Sequence, residues 1–178
     1  MGVLTNISAK ATLGNIGDLT TPTATQQYNL GDIQIYADSD KTGVKKYMYV
    51  KALSAGMTAY QPYVITNTGT AGAEVITLAP ATLTTCGLII GVPQVAFTAS
   101  YYGWVLIEGD GKVLMTAETY AVGDKLEILN AGTAAVVDGS TGSTVTTIGT
   151  FAVCIEAGTT AVARACYMVG RPVAVQAS

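Results

Sequence analysis

The sequence predicts an all-β fold, an antiparallel sandwich or barrel of jelly-roll-like type, with an extended N-terminal arm over residues 1–30 and one β domain over residues 31–178. Three observations lead there. From Gly31 onward, short runs of β-branched and aromatic residues alternate with turn residues, the pattern of antiparallel strands joined by tight connections. No stretch sustains an apolar period of 3.6 residues over three turns, so extended helices are not expected. Gly and Asp cluster between the apolar runs, where a reversing chain needs residues that tolerate positive φ.

The elements follow in order. In the arm, Leu4, Ile7, Leu13, Ile16 and Leu19 are scattered among Thr, Asn, Ala, Gly and Gln with no period of two or 3.6. Isolated apolar side chains on such a segment can dock into grooves of a neighbouring molecule. Asp32 to Ala37 reads as a strand, residues 38–43 as a polar turn, and Val44 to Leu53 as a long strand completing a hairpin. Lys45, Tyr47, Tyr49 and Lys51 share one face of that second strand, and Val44, Lys46, Met48, Val50 and Ala52 the other. Both faces carry apolar groups, which leaves the buried side open. Further strands are expected at Tyr63 to Thr66, Glu74 to Leu78, Leu88 to Val92, Val95 to Phe97, Trp104 to Ile107 and Lys112 to Thr116. Glu108-Gly109-Asp110-Gly111 reads as a hairpin turn between the last two. Single helical turns are expected at Pro80 to Thr85 and Thr116 to Ala121. Strands then resume at Lys125 to Leu129, Ala135 to Val137, Val145 to Glu156 and Ala161 to Val169, the last two joined through Ala157-Gly158-Thr159-Thr160. Asp138 to Thr144 is a flexible surface loop by composition, and Pro172 suits a strand start or edge.

Composition narrows the function. Apolar types make up 49% of the chain and charged types only 12%, roughly half the charge of an average soluble domain. A free monomer relies on charged side chains to break up apolar patches, so much of this surface is expected to be covered by partners. Tyr numbers 10 against Phe 2 and Trp 1, which favours the amphipathic ring enriched at protein interfaces. A net charge of −3 and a pI near 4.7 supply no basic footprint for nucleic acid. The longest apolar stretch, Leu88 to Phe97, is too short to cross a bilayer and is broken by Pro93. The first residues lack a secretory leader, so synthesis in a cytoplasm is expected. Cys86, Cys154 and Cys166 sit in apolar or small-residue contexts and read as reduced, buried thiols, with a Cys154–Cys166 hairpin pairing as the alternative.

The sequence contains no histidine. That removes the commonest general base, the commonest metal ligand and every Ser-His or Cys-His nucleophile pairing. Glu108 and Asp110 are the obvious carboxylate pair for glycosidase chemistry, but their place beside Gly109 and Gly111 predicts solvated turn carboxylates. Asp38 and Asp40 start like a calcium loop, yet Thr42 stands where an oxygen-rich ligand is needed and no bidentate Glu follows. The Gly-rich fragments lack the lysine of a phosphate cradle. Lys45, Lys46 and Lys51 beside Tyr47 and Tyr49 could stack bases, but on an acidic protein such a strand reads as a solvated or interface face. The expectation is therefore a non-enzymatic protein with no cofactor and no metal.

Several ordered motifs remain. Tyr47-Met48-Tyr49-Val50-Lys51-Ala52, Ile90-Gly91-Val92, Tyr102-Gly103-Trp104-Val105, Val122-Gly123-Asp124, the Asp138 to Thr144 loop and Arg171-Pro172-Val173 follow one another across roughly residues 31–175. In order and spacing they resemble the capsid decoration, or cement, proteins of tailed bacteriophages. The resemblance implies a protein made in the bacterial host cytoplasm that resides on the virion, bridges major capsid protein subunits on the outer shell, and assembles as a homotrimer. Together with the tyrosine count and the dotted arm, it points to Leu4, Ile7, Leu13, Ile16, Tyr28, Tyr47, Tyr49, Tyr101 and Tyr102 as partner-interface residues, and to Trp104 as a core or barrel-mouth anchor. The alternatives are another virion or adhesin-like β module, such as a head fibre base or tail protein, and less favourably a glycan-acting enzyme using Glu108 and Asp110.

Overall fold

The computed structural model describes residues 19–37, 43–52, 55–67, 73–76, 89–128, 134–137 and 150–169. Ten strands run through them: β1 Ile33–Ala37, β2 Val44–Ala52, β3 Tyr63–Asn67, β4 Ala73–Ile76, β5 Ile89–Gly91, β6 Tyr102–Leu114, β7 Lys125–Ile128, β8 Ala135–Val137, β9 Ala152–Cys154 and β10 Ala163–Val169. The fold is all-β and sandwich-like. Its ladders follow the order β5-β3-β4-β2-β6-β10-β9-β7-β8, with β1 added on β2. Every strand pairing is antiparallel except β2 with β4. An isolated bridge, with reciprocal Val92 and Leu106 backbone bonds of 2.8 and 3.0 Å, brings the β5 end of the path back onto β6.

β6 organises the molecule. Its first half pairs with β2, from Tyr102 opposite Lys51 to Glu108 opposite Lys46, and its second half pairs with β10, from Glu108 opposite Val169 to Leu114 opposite Ala163. Consecutive residues feed two cores. Val105 and Ile107 join Met48, Val50, Met57, Tyr63, Ile65 and Phe97 in the smaller one. Leu106 and Val113 join Met115, Tyr120, Leu126, Ile128, Phe151, Cys154, Cys166 and Met168 in the larger. Covering on both faces explains why Trp104-Val105-Leu106-Ile107 is a continuous apolar run rather than an alternating one.

This strand overturns one expectation. Glu108-Gly109-Asp110-Gly111 is no hairpin turn; β6 continues through it for 13 residues. The register against β2 shifts between Lys46 and Tyr47, and Gly109 takes φ +101. The extra residue of the bulge is Ile107, and the positive φ of Gly109, two positions on, lets the strand bend there without reversing. A Cβ at Gly109 would stand 2.5 Å from Val44 O, so the close approach of β2 also requires glycine. Three smaller differences follow the same logic of competition for partners. Val95 to Phe97 makes only an isolated bridge, Phe97 with Met57. Thr116 to Ala121 forms bends instead of a helical turn, because Tyr120 exchanges backbone bonds with Gly158. Of Val145 to Glu156, the described strand is Ala152–Cys154. Pro80 to Thr85, the Asp138 to Thr144 loop and Arg171-Pro172-Val173 lie outside the described residues.

The described part of the expected arm runs along β2 and β6. Thr23 and Tyr102 exchange backbone bonds of 2.9 and 2.8 Å, Gly31 N donates to Tyr49 O, and Tyr49 N donates to Asp32 O. The chain then enters β1, which forms the expected hairpin with β2.

Candidate functional site

Strand periodicity places Tyr47, Tyr49 and Lys51 on one face of β2, and the register sets Leu106, Trp104 and Tyr102 of β6 opposite them. Tyr28, carried by the segment before β1, meets this row edge-on, its ring centroid 5.2 Å from Tyr49 and 5.1 Å from Trp104. Tyr49 and Trp104 lie 5.0 Å apart, Tyr49 stacks over Tyr102 at 6.4 Å, and Lys51 Nζ sits 5.5 Å from the Tyr102 ring. Gln27 N donates to the Tyr49 hydroxyl at 3.0 Å. Edge-to-face packing of this kind adds about 0.5–1.5 kcal/mol per pair beyond area burial. Tyr49 and Trp104 are each only 2% exposed.

The interface residues expected from sequence therefore part ways. Tyr49 is turned into the chain and offers a partner no surface, a departure from the expectation caused by Tyr28 and residues 23–32 covering its face. Tyr47 is half-buried against the larger core. Tyr28, Tyr101 and Tyr102 are half-buried. Leu4, Ile7, Leu13 and Ile16 lie outside the described residues.

A different surface gathers exposed apolar side chains. On the opposite face of β2, Ile35, Lys46, Glu108 and Val169 stand in one row across β1, β2, β6 and β10. Tyr167 stands beside them opposite Asp110, and Val44 stands opposite Ala37. Ile33 is 53% and Ile35 49% exposed, and Val44, Tyr167 and Val169 are also exposed. At the centre Lys46 Nζ and Glu108 Oε2 pair at 2.7 Å. Farther along β2 the same face becomes the smaller core with Met48, Val50 and Ala52. Half of one sheet face is thus packed and half is open. Sequence reading missed Ile33, Ile35, Val44, Tyr167 and Val169 because apolar alternation marks a strand's apolar face without saying what covers it.

The carboxylates and thiols are structural in geometry. Glu108 sits inside β6 and is paired with Lys46, not free at a tip. Among the described residues no group of His, Cys, Asp and Glu could hold a metal ion. Cys154 and Cys166 face each other across β9 and β10, both buried and unpaired as a disulfide. Burial first, and then the neighbouring Cys154, push the Cys166 thiol up, which keeps it from the nucleophilic thiolate form. Cys86 lies outside the described residues. Arg164, buried beneath the turn after β9, donates to Ala157 O at 3.1 Å and Thr160 Oγ1 at 3.0 Å. A Cβ on Gly158 would run into its guanidinium, so the turn closes over the arginine only with glycine there.

One shallow, open cavity of about 380 Å³ adjoins the aromatic row, lined by Gln26, Gln27, Tyr28, Asn29 and Asp32.

No protein-family model and no curated protein matches this chain. Among solved structures, the chain is similar to the head fiber gp8.5 N base of bacteriophage phi29, with 14% identity and a TM-score of 0.45 over 71% of this chain and 98% of that one.

Proposed function

We propose that this chain is a structural protein of a phage virion, a capsid decoration or cement protein that binds the outer surface of the shell and bridges major capsid protein subunits. The observation that carries this reading is the open half-face of the sheet, where Ile33, Ile35, Val44, Tyr167 and Val169 stand exposed around the Lys46–Glu108 ion pair. Apolar groups gathered on one rigid face beside a polar pair have the make-up of a contact surface. The low charge of the whole chain and the absence of histidine agree with a role in contact rather than bond-making. In this reading the protein assembles as a homotrimer, each copy contributing a modest interface of roughly 800 Å² per partner, and the shell gains through many copies engaged at once.

A second reading, the base of a head fibre, uses the same face against the same shell and differs only in what stands above it. Mixing the purified protein with undecorated capsids tests the shared claim. Co-sedimentation in a fixed ratio to the capsid subunit is expected, and its absence at saturating protein rejects both readings. Electron microscopy of the decorated heads then separates a compact knob from a projecting fibre.

A further inference from the structure

We infer that the cavity before β1 is a binding site for a neutral sugar residue of a surface glycan, separate from the sheet face assigned to shell contact. Gln26, Gln27 and Asn29 bring amides, Asp32 one carboxylate and Tyr28 one aromatic ring. No lysine or arginine lines it, and the one charge is negative, which disfavours phosphates, sulfates and acidic sugars. The only ring is Tyr28 and no aliphatic side chain is present, which gives a lipid tail nothing to bury against. What such a lining does match is a ligand whose groups both donate and accept hydrogen bonds around a partly apolar ring. An amide offers two donors and an acceptor, a carboxylate accepts from two hydroxyls, and a tyrosine ring packs against the C–H face of a pyranose. At about 380 Å³ the space lies at the small end of ligand sites, which run roughly 300–1,000 Å³, enough for one sugar residue and little more.

The cavity also stands on a rigid base. Gln26 Nε2 donates to Tyr28 O at 2.8 Å and Asn29 N to Asp32 Oδ2 at 3.1 Å. Gln27 N is held by the Tyr49 hydroxyl, Gly31 N by Tyr49 O, and Tyr28 rests on Tyr49 and Trp104. The side chains of Gln27 and Asn29 have no partner among the described residues and stand exposed. Backbone and ring are thus ordered before any ligand arrives, which lowers the entropic cost of binding, while two amides remain available to read hydroxyls.

The test is nuclear magnetic resonance titration of the isotope-labelled full chain with glucose, galactose, N-acetylglucosamine and their disaccharides. Saturable shifts are expected at the Gln26 to Asp32 amides and the Trp104 indole with at least one of these sugars. Replacing Gln27→Ala together with Asn29→Ala, both exposed, is expected to leave the remaining spectrum unchanged and to weaken that binding at least about tenfold. The inference is overturned if none of the sugars gives a saturable shift, if the double variant binds as the parent does, or if calcium chloride or inorganic phosphate produces the same shifts. Capsid co-sedimentation of the double variant is expected to be unchanged, so failure here leaves the shell-contact reading standing.

Discussion

Tyr120 is buried with its hydroxyl 2.7 Å from Thr116 Oγ1 and 3.0 Å from Ala135 O. Burial, against the opposing hydrogen bond from Thr116 and with added push from Glu118, raises the phenol from its ordinary 10.0 to about 12. The folded chain therefore holds this proton more tightly than the unfolded one. Its contribution to stability is complete below pH 10.0 and is lost as pH climbs through about 12. Cys166, whose thiol is also pushed up, acts in the same direction. Tyr120→Phe is expected to lose about 1 kcal/mol near neutral pH, the worth of its hydrogen bonds, and to show a shallower alkaline fall in Tm than the parent. Thermal unfolding followed across the alkaline range checks this, and an identical fall in both chains would contradict it. The buried, reduced state of Cys166 was legible from its apolar context, whereas the raised phenol of Tyr120 was not, because it comes from the burial of its ring and hydroxyl beside Thr116, Glu118 and Ala135.

At the scale of elements, the hairpin β1–β2 and the β9–β10 pair were legible because their turns and periodicities are local. β6 was not. A Glu-Gly-Asp-Gly stretch serves equally as a reversing turn or as a bulge, and the choice depends on whether strands from elsewhere, here β2 and β10, are present to pair through it. Two glycines test that account. Gly109 and Gly123 both have positive φ, +101 and +97, but a Cβ on Gly123 meets nothing within 4 Å whereas one on Gly109 meets Val44 O. Gly123→Ala is expected to cost about 1–2 kcal/mol, the backbone term alone. Gly109→Ala adds the collision with β2 and is expected to cost about 3 kcal/mol or more. Denaturant midpoints measure both, and equal losses would remove the case for a tightly apposed bulge.

At the scale of the whole molecule, the sheet buries one half of the β2 face and leaves the other open. Ile35 is about half exposed and stands opposite Lys46. Ile35→Glu is expected to change stability by no more than about 0.5 kcal/mol, since an acid there gains a lysine neighbour, yet to reduce capsid co-sedimentation sharply. Retained co-sedimentation with intact folding would move the contact surface elsewhere. Tyr49 became part of the chain's own aromatic packing, and the exposed apolar groups came mostly from isoleucine and valine, which composition assigns to the core, with Tyr167 the one tyrosine among them.

By itself the sequence determined the all-β class, most strand positions, the lack of histidine chemistry and the sparsely charged exterior, because apolar alternation and composition are local properties that no partner strand can alter. Tertiary structure alone decided that β6 runs straight through a turn-like tetrapeptide, that Tyr49 faces inward beneath Tyr28, and that Ile33 and Ile35 face outward. Both sides of β2 carry apolar side chains, and which side is covered depends on β6 and residues 23–32, whose approach is a long-range packing outcome with no local signal.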